Sequence, residues 1–157
     1  MSGSYFETED SKLLVGLRIL VAEDDADNRL LIGKMLESGG ACAALVENGR
    51  DAVDRALRES YDVVMLDIQM PTMDGYQAVK ALRIQGYARP IIALTARALT
   101  SERDESFRCG FDVHLTKPIP RKHLFESLRR ALGRNDDVWP RELVGRRAVE
   151  SQLRVRV

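Results

Sequence analysis

The chain has 157 residues, of which 45% are hydrophobic, and this composition indicates a globular domain with a substantial core. Its 24 basic and 24 acidic residues balance, so overall charge gives no argument for binding nucleic acid or an anionic membrane. No apolar run approaches the roughly 20 residues that span a bilayer, and the N-terminus lacks the apolar core of a secretory signal. We therefore expect a cytoplasmic protein that neither inserts into membranes nor binds nucleic acid.

Three regions differ in composition. Residues 1–16 are polar and acidic and are expected to be a linker or an expression remnant, and residues 17–133 are expected to form the folded domain. Residues 134–157 are expected to be a tail, either a short docking helix or disordered. The apolar residues of the tail have loosely helical spacing: Trp139, Leu143, Val144, Ala148 and Leu153. Cys42 and Cys109 are too few for a disulfide framework or a zinc site, and we expect two reduced thiols packed in or near the core.

Five short apolar runs alternate with helical patterns along the central region. The predicted strands cover residues 18–22, 41–46, 62–66, 90–94 and 111–115. The predicted helices cover roughly residues 26–38, 50–59, 74–84, 100–108 and 120–132. This alternation predicts an α/β fold with a parallel sheet and right-handed crossovers.

Local signals place the ends and faces of the first three helices. Asp25 or Asp27 is the expected N-cap of the first helix, and Asp74 can cap the third. The first helix is expected to bury Leu30, Leu31, Met35 and Leu36. The second helix is expected to bury Ala52, Val53, Ala56 and Leu57.

Residues that carry charge or a hydroxyl group follow four of the five predicted strands. They are Glu23, Asp24, Asp25, Asp67, Thr95 and Lys117. In a parallel sheet the carboxyl ends of the strands meet at one edge, where ligands bind. Each residue alone has an ordinary explanation as a helix cap or a turn residue. Their joint occurrence favours a site for a hard cation and a phosphoryl group.

The chemistry of these groups is consistent with that interpretation. Clustered carboxylates repel one another, and Mg²⁺ removes the penalty while keeping several water ligands. A lysine supplies a compact positive charge for an anion, and a hydroxyl supplies a hydrogen-bond donor. Asp67 could act as a nucleophile, because carboxylates form aspartyl phosphates.

Four stretches, residues 19–25, 64–75, 92–96 and 115–119, resemble the receiver domains of two-component response regulators, in the order found in that family. The resemblance covers about residues 17–133. It implies a chemotaxis-regulator-like, flavodoxin-like fold: a doubly wound five-stranded parallel sheet of (βα)5 topology with strand order 2-1-3-4-5. Residues 27–29 and 114–119 look more like receivers of hybrid sensor kinases than like those of transcription factors.

By this resemblance Asp67 is the phosphoacceptor. Mg²⁺ is held by Glu23, Asp24, Asp67 and the backbone carbonyl of Gln69. Thr95 hydrogen-bonds the phosphoryl group, and Lys117 pairs with its charge.

Neighbouring positions complete the resemblance. Ala96 is small and leaves the phosphoryl path open, and Lys117–Pro118 is a position that usually carries a cis peptide bond. Gln69 and Arg97 occupy places that tune phosphoryl hydrolysis in the family.

The resemblance implies a signalling function within a phosphorelay. A histidine kinase or histidine phosphotransfer protein donates the phosphoryl group, and the domain catalyses its own phosphorylation and slow dephosphorylation without acting as an enzyme on other substrates. Predicted strand 4, helix 4 and strand 5 are expected to form the output surface. The sequence does not name the downstream partner, and homodimerisation stays open.

The switch residue departs from the family pattern. His114 stands where Tyr or Phe is common, and either a switching role or an ordinary strand position fits it. If His114 swings inward as Thr95 moves, we expect a response that depends on pH between about 6 and 7.5. His123 is expected to be a surface residue.

Two alternative functions stay open. A haloacid-dehalogenase-type phosphatase also uses an aspartate nucleophile and Mg²⁺, but it needs a second aspartate where this chain has Gln69. A degenerate receiver that acts only as a binding module is disfavoured by the complete set of acidic residues with Thr95 and Lys117.

Overall fold

The structure is a computed structural model that describes residues 12–133. The predictions for residues 1–11 and for the tail at 134–157, including Trp139, lie outside the described residues. The strands are Arg18–Ala22 (β1), Cys42–Val46 (β2), Val63–Asp67 (β3), Ile91–Thr95 (β4) and Val113–Thr116 (β5). The helices are Ala26–Ser38 (α1), Gly49–Arg58 (α2), Gly75–Ile84 (α3), Thr100–Cys109 (α4) and Arg121–Leu132 (α5).

The five strands form one parallel sheet in the order β2-β1-β3-β4-β5, which confirms the predicted topology. Successive strand residues point to opposite faces, so the sheet separates two apolar layers. Ile19 and Val21 lie in the layer that α1 and α5 cover, whereas Leu20 and Ala22 lie in the layer covered by α2 and α3. Helix α4 packs against α3 and β5. Among the described residues, no helix combines the length and apolarity of a membrane-spanning segment.

Two predicted helix starts are confirmed by their capping bonds. The Asp25 carboxylate accepts from the Asn28 amide at 2.8 Å, so Asp25 and not Asp27 caps α1. Asp74 and Gln77 form a reciprocal capping box at the start of α3. These caps fix where each helix begins, directly after the loops that follow β1 and β3.

The predicted buried faces of α1 and α2 were partly wrong. Leu30 and Leu31 are each 54% exposed and Leu57 is 47% exposed. Helix α1 buries Leu36 as predicted, together with Ile32 and Gly33, and a Cβ at Gly33 would come within 3.0 Å of the Leu45 side chain. The small residue therefore sets the face that approaches β2. Cys42 is also exposed, contrary to prediction, because it lies on the edge strand β2.

Packing also reaches into the segment predicted to be a linker. The Leu14 side chain is fully buried, and its amide donates to the Gly39 carbonyl at 2.7 Å. A Cβ at Gly39 would come within 2.8 Å of both Leu14 and Phe125. Residues just before position 17 thus contribute to the core, although the domain boundary itself stays a prediction.

Candidate functional site

The side chains predicted to form a site meet at the carboxyl edge of the sheet. Asp67 is the last residue of β3 and Thr95 the last residue of β4. Glu23 and Lys117 directly follow β1 and β5. The predicted strands ended one residue earlier at β3 and β4, so the structure makes these two polar residues part of the hydrogen-bonded sheet. Asp67 is paired with Leu94 of β4 and Thr95 with Thr116 of β5, which fixes the backbone from which each side chain extends.

Three carboxylates form a compact cluster at this edge. Glu23, Asp24 and Asp67 each place one carboxylate oxygen within 4.8 Å of the others. Glu23 and Asp67 are buried, whereas Asp24 is exposed. Oxygen donors that converge from a buried side and leave an open side suit a hard divalent cation that keeps water ligands. The donor set therefore fits Mg²⁺.

The Lys117 ammonium joins two members of the cluster. Its Nζ lies 2.7 Å from Oε1 of Glu23 and 2.8 Å from Oδ2 of Asp67. Burial raises the pKa of Glu23, the neighbouring Asp67 carboxyl raises it further, and Lys117 partly opposes both effects. Burial alone would lower the pKa of Lys117, but hydrogen bonds to Asp67 and Glu23 outweigh burial and raise the pKa. The lysine thus offsets the repulsion between the two buried carboxylates.

Backbone amides complete the surroundings of the two strand-end residues. The Gln69 amide donates to Oδ1 of Asp67 at 3.0 Å, and the Arg97 amide donates to Oγ1 of Thr95 at 3.2 Å. These residues line one cleft of about 230 Å³ together with Ala96, which is exposed. That the small side chain of Ala96 leaves the approach to Asp67 open stays a prediction. The Lys117–Pro118 peptide bond is cis, which confirms that prediction.

The loop after β1 is held by residues that were not predicted to support the site. The Arg29 guanidinium donates to the carbonyl oxygens of Glu23 at 2.8 Å and Asp24 at 3.3 Å. The Asp25 amide donates to Oε2 of Glu23 at 3.3 Å, while the Asp25 carboxylate is committed to its helix cap. Asp25 therefore orients Glu23 and lines the cleft, but it does not belong to the three-carboxylate cluster.

Gly75 brings α3 unusually close to the end of β3. A Cβ at this position would overlap the carbonyl oxygen of Asp67 and would lie 2.8 Å from Cα of Ile68. Only glycine permits this approach. The sequence signal for this approach is the glycine that directly follows the helix cap Asp74.

The two histidines lie outside the cleft. His114 on β5 is half-buried, and its Nε2 is shielded from solvent with no hydrogen-bond partner among residues 12–133. Burial lowers the pKa of His114 and nearby Arg103 lowers it further, against an opposing effect of Glu102. The predicted pH dependence of the response between about 6 and 7.5 stays a prediction. His123 is exposed on α5, which confirms its surface position.

Comparison with known proteins gives consistent matches. The family model of the response regulator receiver domain matches residues 19–129. The chain is 39% identical over 121 residues to the sensor protein GacS of Pseudomonas syringae pv. syringae, covering 74% of this chain and 13% of that protein. It is 36% identical over 118 residues to the response regulator MprA of Mycolicibacterium vanbaalenii, covering 75% of this chain and 51% of that protein. The chain thus spans about an eighth to a half of these relatives.

Solved structures show the same fold. The receiver domain of the sensor histidine kinase PA1611 from Pseudomonas aeruginosa, which was crystallised with magnesium coordinated in its active-site cleft, is 38% identical. It superposes with a TM-score of 0.70, covering 76% of this chain and 100% of that one. The Francisella response regulator 1452 receiver domain is 30% identical with a TM-score of 0.71, covering 74% of this chain and 96% of that one.

Proposed function

The chain belongs to the receiver-domain family of two-component response regulators, and on this premise we propose that Asp67 accepts a phosphoryl group in a phosphorelay. The observation that carries the proposal is the convergence on Asp67 of two further carboxylates and the Lys117 ammonium in one open cleft. Asp67 is buried at the end of the central strand β3, and a backbone amide and an ammonium already orient its two oxygens.

The proposed reaction is a transfer between nucleophiles. One Asp67 oxygen forms a bond to phosphorus while the phosphorus–nitrogen bond of a phosphohistidine donor breaks. The electron pair of that bond stays on the imidazole nitrogen, so no net proton transfer to the domain is required. Lys117 follows the charge of the phosphoryl oxygens, and the Thr95 hydroxyl, whose oxygen now accepts from Arg97, can donate to one of them. The domain thereby promotes its own phosphorylation through positioning and charge neutralisation.

Mg²⁺ is the proposed cofactor, held by Glu23, Asp24, Asp67 and the backbone carbonyl of Gln69. When bound, it neutralises charge on the phosphoryl oxygens during transfer. The supporting observation is the carboxylate geometry, which brings three oxygens within 4.8 Å of one another. Magnesium in the cleft of the 38% identical Pseudomonas aeruginosa receiver domain supports the same assignment.

The proposed donor is a histidine kinase or histidine phosphotransfer protein, since sensor kinases are among the relatives. The proposed output surface is formed by β4, α4 and β5, which carry Thr95 and His114. Hydrolysis of the phosphoryl group is proposed to be slow and tuned by Gln69 and Arg97, both of which line the cleft. The phosphatase alternative is not favoured, because Gln69 supplies no general acid.

Acetyl phosphate provides a direct test. Wild-type protein incubated with acetyl phosphate and Mg²⁺ should gain the mass of one phosphoryl group, and EDTA should prevent the gain. Asp67→Asn should show no gain in mass. Asp104→Asn is the matched control for that variant, because Asp104 is exposed on α4 and does not line the cleft. It should be phosphorylated like wild type. Continuous hydrolysis of p-nitrophenyl phosphate without a stable mass gain would instead support the phosphatase.

A further inference from the structure

Glu102 brings to the cleft a carboxylate with one unsatisfied oxygen. It lies in the first turn of α4 and lines the cleft together with Asp24, Gln69 and Arg97. Its Oε2 atom is shielded from solvent and has no hydrogen-bond partner in the described part of the chain. Shielded carboxylate oxygens ordinarily have donors, so this position calls for an explanation. No spacing in the sequence predicts that α4 brings a further carboxylate to the cleft.

The charges around Glu102 are predominantly negative. Glu23, Asp24, Asp25 and Asp67 line the same cleft against two cations, Arg97 and Lys117, and the Lys117 ammonium is already engaged by Glu23 and Asp67. Within residues 12–133, no lysine or arginine lies at ion-pair distance from Glu102. A lone negative charge at this place attracts a cation in the cleft and repels an added phosphoryl group. These two effects have opposite signs.

We propose that Glu102 tunes the balance between the two ligands of the cleft: it favours the divalent cation and opposes the phosphoryl group. The inference rests on the proposed function, since it takes Asp67 as the phosphoacceptor. Glu102 acts through space and forms no bond to phosphorus, so it is a tuning residue and not a catalytic one. Phosphorylation would push its carboxylate away from the cleft. The first turn of α4 receives no side-chain capping bond from Leu99.

The test compares Glu102→Gln with Asp104→Asn and wild type. Both substitutions remove one negative charge from α4, but Asp104 is exposed and lines neither the cleft nor the depression beside it. Calorimetry measures the Mg²⁺ affinity, and an NMR titration with beryllofluoride at saturating Mg²⁺ measures the affinity for a phosphoryl mimic. Glu102→Gln should weaken Mg²⁺ binding and strengthen beryllofluoride binding, each on the order of two- to tenfold. Asp104→Asn should change each by less than about twofold.

The opposite signs separate tuning from a structural role, which would weaken both affinities together. Affinities that fall together in Glu102→Gln, or that match those of Asp104→Asn, would overturn the inference while leaving the proposed function intact. If wild-type protein binds neither Mg²⁺ nor beryllofluoride, the proposed function fails and this inference fails with it.

Discussion

Lys117 donates to Oδ2 of Asp67 at 2.8 Å, although 50 residues separate them in the chain. The contact forms because β3 and β5 end at the same edge of the sheet and Lys117 directly follows β5. The same ammonium reaches Glu23, so one positive charge is shared between two buried carboxylates. Lys117 therefore contributes to the stability of the cation-free protein as well as to the proposed phosphoryl transfer.

Replacing Lys117 with alanine should destabilise the protein most when no cation is present. Two buried carboxylates would be left without their counter-charge, a loss that costs about 3 kcal/mol of unfolding free energy. Mg²⁺ should recover part of this loss. Urea denaturation in EDTA and in Mg²⁺ measures both values, with Lys122→Ala on the exposed side of α5 as control. Equal destabilisation of Lys117→Ala in both buffers would contradict the charge argument.

Replacing Asp24 with asparagine should weaken Mg²⁺ binding on the order of tenfold or more, because one of three converging carboxylates loses its charge. Calorimetry gives the affinity directly. Asp27→Asn is the matched control, since Asp27 is an exposed acidic residue in the first turn of α1 and lies outside the cluster. An Asp24→Asn affinity equal to that of the control would exclude Asp24 as a ligand.

Adding a methyl group at Gly75 should disturb both stability and the site. The new Cβ would overlap backbone atoms of Asp67 and Ile68, which cannot rotate away, so we expect a loss of about 3 kcal/mol. Gly86→Ala is the comparison, because Gly86 has a φ of +83° but an added Cβ there would meet nothing within 4 Å. It should lose only about 1 to 2 kcal/mol from backbone strain. Urea denaturation ranks the two, and a smaller loss at Gly75 would refute the close approach.

Local signals predicted most of the secondary structure and the positions of the site residues. Asp25 (with Asp27 as the alternative) and Asp74 are predicted as caps because aspartate is a favoured N-cap residue, and Asp67 and Thr95 are predicted as site residues because apolar runs end beside them. The family resemblance supplied the strand order, which no local pattern contains.

The predictions that were wrong concern features that tertiary packing determines. Leu30 and Leu57 were expected to be buried, but the sheet selects which face of each helix it covers, and Gly33 proved to be part of that face. The lowered pKa of His114 depends on the burial of its side chain where α4 packs against β5. The position of Glu102 depends on how α4 packs beside the cleft. Neither arrangement follows from residue spacing.

The unfolding free energy should contain a component that depends on His114. Its folded pKa lies below the ordinary value of 6.5, first because of burial and second because of Arg103, with Glu102 opposing. The unfolded chain therefore takes up a proton before the folded one does. The contribution of His114 to the unfolding free energy is fully present above about pH 6.5 and is lost as the pH falls through the lowered folded pKa.

Urea denaturation across pH 5 to 8 (roughly the range in which histidine titrates) should show this decline in wild type. His114→Gln should reduce the slope, whereas His123→Gln should retain it, because His123 is exposed on α5. A slope that persists in His114→Gln would assign the decline to another group.

The most direct test of the central claim is to locate the phosphoryl group. Protein phosphorylated by acetyl phosphate with Mg²⁺ can be reduced with borohydride, which converts an aspartyl phosphate to homoserine, and then mapped by peptide mass spectrometry. We predict conversion at Asp67 alone among the aspartates of the cleft, and none in Asp67→Asn. Conversion at Asp24 or Asp25 in wild type, or undiminished phosphorylation of Asp67→Asn, would contradict the account.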